Sequence, residues 1–163
     1  MPEEMTLAIS GHGTLVACQF TPGGAFENIA EQGDITPPEL TRNEFDATTQ
    51  DKDIDTYVLG VLRRGAFTQP LNFLPGHHTH DHLTGVFKLM IDNTVTGWRI
   101  TYPDGTEWIM SGQVQGLKPG APVDGKLSLD MTLRFTGSMA IGKDGEYVTI
   151  GAGAGVVMAA ARK

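Results

Sequence analysis

From Lys126 to Thr136 the chain alternates without a break: Leu127, Leu129, Met131, Leu133 and Phe135 are apolar, while Ser128, Asp130, Thr132, Arg134 and Thr136 are polar. Successive side chains of a strand point to opposite faces, so this stretch has one oily face and one wet face and predicts a half-buried strand. Trp98 to Tyr102 and Glu107 to Leu117 alternate in the same way, though less strictly. They are joined through Tyr102-Pro103-Asp104-Gly105, where proline fixes one backbone angle and glycine permits a positive one. Residues 97–136 therefore read as an antiparallel meander, and the fold class expected is mainly β.

A chain of 163 residues suits one domain, since a core of this size buries roughly two thirds of the surface that the unfolded chain would expose. We place a single β-rich domain over residues 1–150 and a Gly/Ala-rich tail over 151–163. The 21 glycines, 9 prolines and 40% apolar content fit a strand-and-turn protein and exclude general disorder. Twelve basic against nineteen acidic side chains give a net charge of −7. That disfavours a surface built to grip nucleic acid by neutralising phosphates, but it suits one that must let a polyanion slide past. Cys18 is the single cysteine, so neither an intrachain disulfide nor a cysteine-based zinc site is expected. The opening Met-Pro-Glu-Glu-Met lacks the basic-then-apolar order of a signal peptide, and no run approaches the roughly 18 apolar residues of a membrane span. Synthesis in the cytoplasm, with no membrane partner, is the expectation.

In chain order, residues 14–20 predict a first strand, closed by Thr21-Pro22-Gly23-Gly24, and Ala25 to Glu31 a second. Thr36-Pro37-Pro38 forces an extended connection. Leu40 to Ala47 reads as a strand too polar to be central, with an edge suited to pairing with another chain. Asp46 to Asp55 carries four aspartates and one lysine, but a calcium loop of the helix-loop-helix kind needs a central Gly and a terminal Glu, and both are missing. Tyr57 to Leu62 and Ala66 to Phe73 flank Arg63-Arg64-Gly65, which reads as a hairpin tip. Leu83, Val86, Phe87, Met90 and Ile91 form one apolar stripe at helical spacing, with Thr79 as a capping hydroxyl and Asp81 in the first turn. A helix over 79–92, lying across one face of the sheet, is predicted. Gly142-Lys143-Asp144-Gly145 predicts a turn between Met139 to Ile141 and Tyr147 to Ile150.

His77, His78, His80 and His82 crowd into six residues and are the most enzyme-like feature of the chain. A His-x-His pair on a strand puts both rings on one face, as in the metal sites of cupin barrels, yet Leu83, Thr84 and Gly85 stand where that pattern wants a glutamate. His78 and His82 have the i, i+4 spacing of a helical metal pair, but Pro75-Gly76 puts the helix start after His78. A small metal-binding protein or metal-dependent enzyme centred on His77 to His82 is the alternative reading. The preferred one is a polar helix entry, with no catalytic, cofactor-binding or metal-ligating residue assigned. Elsewhere there is neither a phosphate loop nor a nucleophile elbow.

Several segments in order resemble the major tail tube proteins of long-tailed, non-contractile bacteriophages and of similar particles encoded in bacterial genomes. They are Gly11-His12-Gly13-Thr14-Leu15, Phe45 to Asp51, Tyr57-Val58-Leu59-Gly60, the helix from Thr79, Trp98 to Thr106, Ser111 to Val114, and Pro122 to Leu127 with a strand ending at Phe135-Thr136-Gly137. The resemblance spans about residues 10–140. It implies two packed antiparallel sheets, sandwich-like or barrel-like, flanked by one α-helix. It also implies homo-hexameric rings stacked into the tail tube of a virion, through which DNA passes without specific binding. The partners implied are further copies of the chain, a tape measure protein, and terminator and baseplate proteins. The family carries no catalytic residues, and it offers no role for the histidine cluster or the Gly/Ala-rich tail.

Overall fold

In the computed structural model, which describes residues 8–150, the alternating stretch becomes the long strand from which most of the others hang. The elements follow in the order β1 (Leu15–Cys18), β2 (Glu27–Asn28), β3 (Leu40–Asp46), β4 (Tyr57–Arg64), β5 (Phe67–Asn72), α1 (Val86–Ile91), β6 (Thr96–Thr101), β7 (Glu107–Gly120), β8 (Ser128–Lys143) and β9 (Glu146–Ile150). With 49% strand and 4% helix, the class is mainly β. A seven-stranded antiparallel sheet has the order β2-β1-β6-β7-β8-β5, with β9 added to β8, and β3 and β4 form a separate two-stranded sheet. The expected meander is present as β6-β7-β8.

At 16 residues, β8 is long enough to serve three neighbours: β7 along most of its length, β5 beside Ser128–Leu133 and β9 beside Met139–Lys143. Its inward residues Leu129, Met131 and Leu133 are fully buried. Register then carries the oily face across the sheet. Cys18, Trp98, Met110, Met139 and Ile150 are successive cross-strand partners, and so are Val16, Ile100, Trp108, Ile141 and Val148. Trp98 is 0% exposed, and its indole Nε1–H donates to the Gly112 carbonyl at 3.2 Å, which satisfies the one polar atom it brings into the core. Each fully buried side chain of this size contributes about 1.5–3 kcal/mol.

The large sheet curls until its two edges are laced by one polar segment. Beyond β2, residues 31–36 run beside β5: Gly33 N–H donates to the Pro70 carbonyl at 2.9 Å and Asn72 N–H to the Glu31 carbonyl at 3.0 Å. The Gln32 side chain completes the closure. Its Oε1 accepts from Val16 N–H at 2.8 Å and from Gln69 Nε2 at 3.0 Å, while its Nε2 donates to the Val16 and Ile29 carbonyls. One amide thus bridges β1, next to the β2 edge, and β5, the opposite edge of the sheet, and the result is barrel-like.

Three local expectations are corrected. Strand β8 does not stop at Gly137; it bulges there, with the register shifting between Met110 and Ser111 of β7, and continues to Lys143. Gly137 has φ 76°, a left-handed conformation that glycine adopts without strain, and past the bulge Met139 lies opposite Met110 on the inner face. The strands flanking Arg63-Arg64-Gly65 are not a hairpin either, since β4 pairs with β3 and β5 with β8. The helix spans only Val86–Ile91, with Gly85 as its N-cap residue. Residues before it form turns in which the Thr79 carbonyl accepts from Val86 N–H at 3.0 Å and the Thr79 hydroxyl accepts from Ala30 N–H at 3.2 Å. The buried face is Val86 and Leu89, and Leu83 and Ile91 of the expected stripe are exposed. The Gly/Ala-rich tail and the opening residues lie outside the described residues.

Candidate functional site

The second sheet is an arm. Leu40 and Leu62 at its base pack against the core of the large sheet, and from there the ribbon leaves it. The ladder shifts register between Arg42 and Glu44, so Leu62, opposite Arg42, lies on the same face as Leu59 and Tyr57, opposite Glu44 and Asp46, whereas Val58 and its partner Phe45 share the other. Both faces are oily and open: Phe45 is 58% exposed, Val58 53%, Leu59 61% and Val61 65%. An isolated two-stranded ribbon is marginally stable in water, and large contiguous apolar exposure marks an interaction surface. The sequence predicts Leu40 to Ala47 as a polar edge strand, and the structure places it in this ribbon, where apolar side chains of both strands are exposed on both faces.

Beyond Asp46 and Tyr57 the ladder is prolonged by Ala47 N–H donating to the Thr56 carbonyl at 2.7 Å and Thr56 N–H donating to the Thr48 hydroxyl at 2.8 Å. The tip bears Asp46, Asp51, Asp53 and Asp55. Hydrogen bonds from the Thr48 hydroxyl and amide hold the Asp46 carboxyl below the usual carboxylate range, and the Thr49 hydroxyl does the same for Asp51.

At the base lies a cavity of about 360 Å³ lined by Arg42, Val61, Leu62, Arg64, Met139 and Ile150, with Gly137. Arg64 Nη2 donates to the Gly137 carbonyl at 2.6 Å, so the bulge that re-aims β8 also anchors the arm. Arg64 Nη1 is buried with no hydrogen-bond partner. A larger groove of about 850 Å³ lies between residues 9–15, 32–37 and Tyr102-Pro103; its ionisable lining groups are His12, Asp34 and Tyr102.

The four clustered histidines are placed apart chemically. His80 is buried, accepting from Leu74 N–H at Nδ1 (3.0 Å) and donating from Nε2 to the Ala30 carbonyl (2.9 Å), which fixes it as a neutral structural pin. Its burial keeps the imidazole pKa below 6.5. His77 Nδ1 accepts from the Thr79 hydroxyl at 2.9 Å and its ring stacks on His78, which bonds Glu27; His82 pairs with Asp81 at 2.9 Å on the surface. No three His, Cys, Asp or Glu side chains among the described residues are brought together in a way that could hold a metal ion. Cys18 is buried, and desolvation pushes its thiol pKa far up, so it is an inert core residue. Gln32 is the residue that sequence reasoning missed, because a lone polar residue in an irregular segment gives no periodic signal.

No curated protein sequence matches the chain. Among solved structures, the tail of an empty GTA particle, refined with helical C6 symmetry, is 17% identical with a TM-score of 0.67, over 84% of this chain and 99% of that one. A subunit of the native gene transfer agent virion is 15% identical, with a TM-score of 0.65 over 84% and 99%. A chain of the anti-feeding prophage baseplate is 12% identical, with a TM-score of 0.65 over 90% and 98%. At such identities these likenesses show a shared fold. The sequence profile of the lambda phage tail tube protein, by contrast, matches residues 10–142. The chain belongs to the lambda phage tail tube protein family.

Proposed function

We propose that the protein is a non-enzymatic structural subunit of a virion tail of the long, non-contractile kind, acting through a single β-rich domain over residues 1–150. Copies made in the host cytoplasm close into six-membered rings, and the rings stack into a tube through which DNA leaves the particle. The observation that carries this reading is the arm, whose two strands keep apolar side chains exposed on both faces. Surface of that kind is covered when another copy packs on it, and a contact between unlike patches repeats into rings or filaments. The C6 symmetry of the similar GTA tail supports the sixfold arrangement. Contacts with a tape measure protein inside the tube, and with terminator and baseplate proteins at its ends, complete the proposed set of partners. An excess of nineteen acidic over twelve basic side chains suits a wall that lets DNA pass without specific binding.

Negative-stain electron microscopy of the tag-free protein, at rising concentration, tests this. End-on views of hollow particles with sixfold symmetry are expected. Particles that remain monomeric throughout, or rings of another symmetry, would contradict the proposal.

A further inference from the structure

The arm carries opposite charges at its two ends. Asp46, Asp51, Asp53 and Asp55 crowd its tip against Lys52 alone, whereas Arg42, Arg63 and Arg64 stand at its base beside Glu39. None of those arginines makes an ion pair among the described residues. At the tip, Asp46 and Asp51 are engaged by threonines, but Asp53 and Asp55 hold no described partner. The two ends cannot meet within one copy, because the seven residues of β3 at about 3.3 Å each hold them roughly 23 Å apart.

The base is also shaped to receive something. Its cavity has apolar walls from Val61, Leu62, Met139 and Ile150 and is also lined by Arg42 and Arg64, and the buried Nη1 of Arg64 has no hydrogen-bond partner. A guanidinium fork bonds a carboxylate in its own plane, and apolar walls strengthen such a bond by keeping water from it. A charged group without a counter-ion in these surroundings is costly in the free subunit and favours association with a carboxylate.

We propose that this arginine-lined cavity receives the Asp53 and Asp55 carboxylates from the arm tip of a second copy. The inference rests on the tube reading and adds its chemistry. The contact joins unlike patches, tip to base, so it repeats head to tail and gives every subunit of the stack the same direction. It also excludes tip-to-tip and base-to-base encounters, where like charges meet.

Charge reversal in the full-length, tag-free chain tests the pairing, read as the protein concentration at which polymer first pellets. Asp53→Lys with Asp55→Lys should raise that concentration at least about tenfold, as expected for losing a desolvated ion pair. Adding Arg42→Glu and Arg64→Glu to the same chain should bring it back to within about threefold of the unaltered value. Should Arg64→Glu unfold the subunit, as read by circular dichroism, Arg42→Glu alone takes its place. A tip reversal that pellets like the unaltered chain overturns the proposal, and so does a folded combined variant that recovers nothing. Removing residues 151–163 asks whether the Gly/Ala-rich tail fills the cavity instead. If that truncation reproduces the loss while the tip reversal has no effect, the cavity belongs to the tail and the proposal falls. An unaltered chain that never polymerises overturns it together with the tube reading, whereas unaltered tubes indifferent to the tip reversal overturn it alone.

Discussion

Replacing Val58, Leu59 and Val61 with threonine should cripple assembly while leaving the subunit folded. These side chains are 53%, 61% and 65% exposed in the free subunit, so somewhat more than half of their apolar surface remains to be buried. Complete burial of such a side chain contributes about 1.5–3 kcal/mol, so covering the remainder supplies roughly 1 kcal/mol at each position. Threonine has the β-branched shape that suits a strand but removes most of that gain. One substitution therefore raises the concentration needed for polymer about fivefold, and the three together raise it by about a hundredfold, since 1.4 kcal/mol is a factor of ten. Each added copy contributes one arm, so the effect enters once per subunit. Sedimentation across a concentration series measures the polymer threshold, and thermal melting of the monomer serves as the control. Exposed substitutions of this kind change folding stability by about 0.5 kcal/mol or less. A triple variant that polymerises at the unaltered threshold, with an unaltered melting curve, would refute the claim that the arm is the joining surface.

The interior gives further predictions. His80 is held neutral by burial, with the Ala30 carbonyl and Glu31 opposing that effect and His77 adding to it. Its folded pKa therefore lies below the unfolded value of 6.5, the unfolded chain binds the extra proton, and stability drops as pH falls below that point. Urea midpoints should accordingly be lower at pH 5 than at pH 7.5, with a flatter slope in His80→Gln; equal slopes in the two chains would count against the pin. Gly137→Ala places a Cβ in open space but at φ 76°, so it should cost about 1–2 kcal/mol through the backbone alone and lower the melting temperature. Cys18 should resist a thiol-specific reagent in the folded protein and react at the rate of a free thiol in denaturant. Rapid modification under native conditions would contradict the buried placement.

Periodicity reported well on whatever was local. The meander β6-β7-β8 was legible because its strands are consecutive, its turn carries Pro103-Asp104-Gly105, and its oily residues alternate. Pairing at a distance was not legible: β5 lies beside β8 through contacts such as Phe67 with Leu133, and nothing in either segment names the other. The helix was overextended for a related reason. His80 turns inward to bond Leu74 and Ala30, and this tertiary bonding holds the preceding residues in turns, so the apolar stripe from Leu83 is not one helical face. The functional surface was the least legible. Tyr57-Val58-Leu59-Gly60-Val61-Leu62 reads as one flank of a hairpin, and nothing in it tells that Val58, Leu59 and Val61 stay exposed on a separate two-stranded ribbon.

Amide hydrogen exchange, compared between dilute monomer and assembled polymer, tests most directly whether copies join through the arm. Leu40–Asp46 and Tyr57–Arg64 should exchange readily in the monomer, where the arm stands clear of the large sheet, and become protected in the polymer. The inner strands β6, β7 and β8 should be protected in both states. An arm that exchanges in the polymer at its monomer rate would contradict the assignment and move the joining surface elsewhere on the subunit.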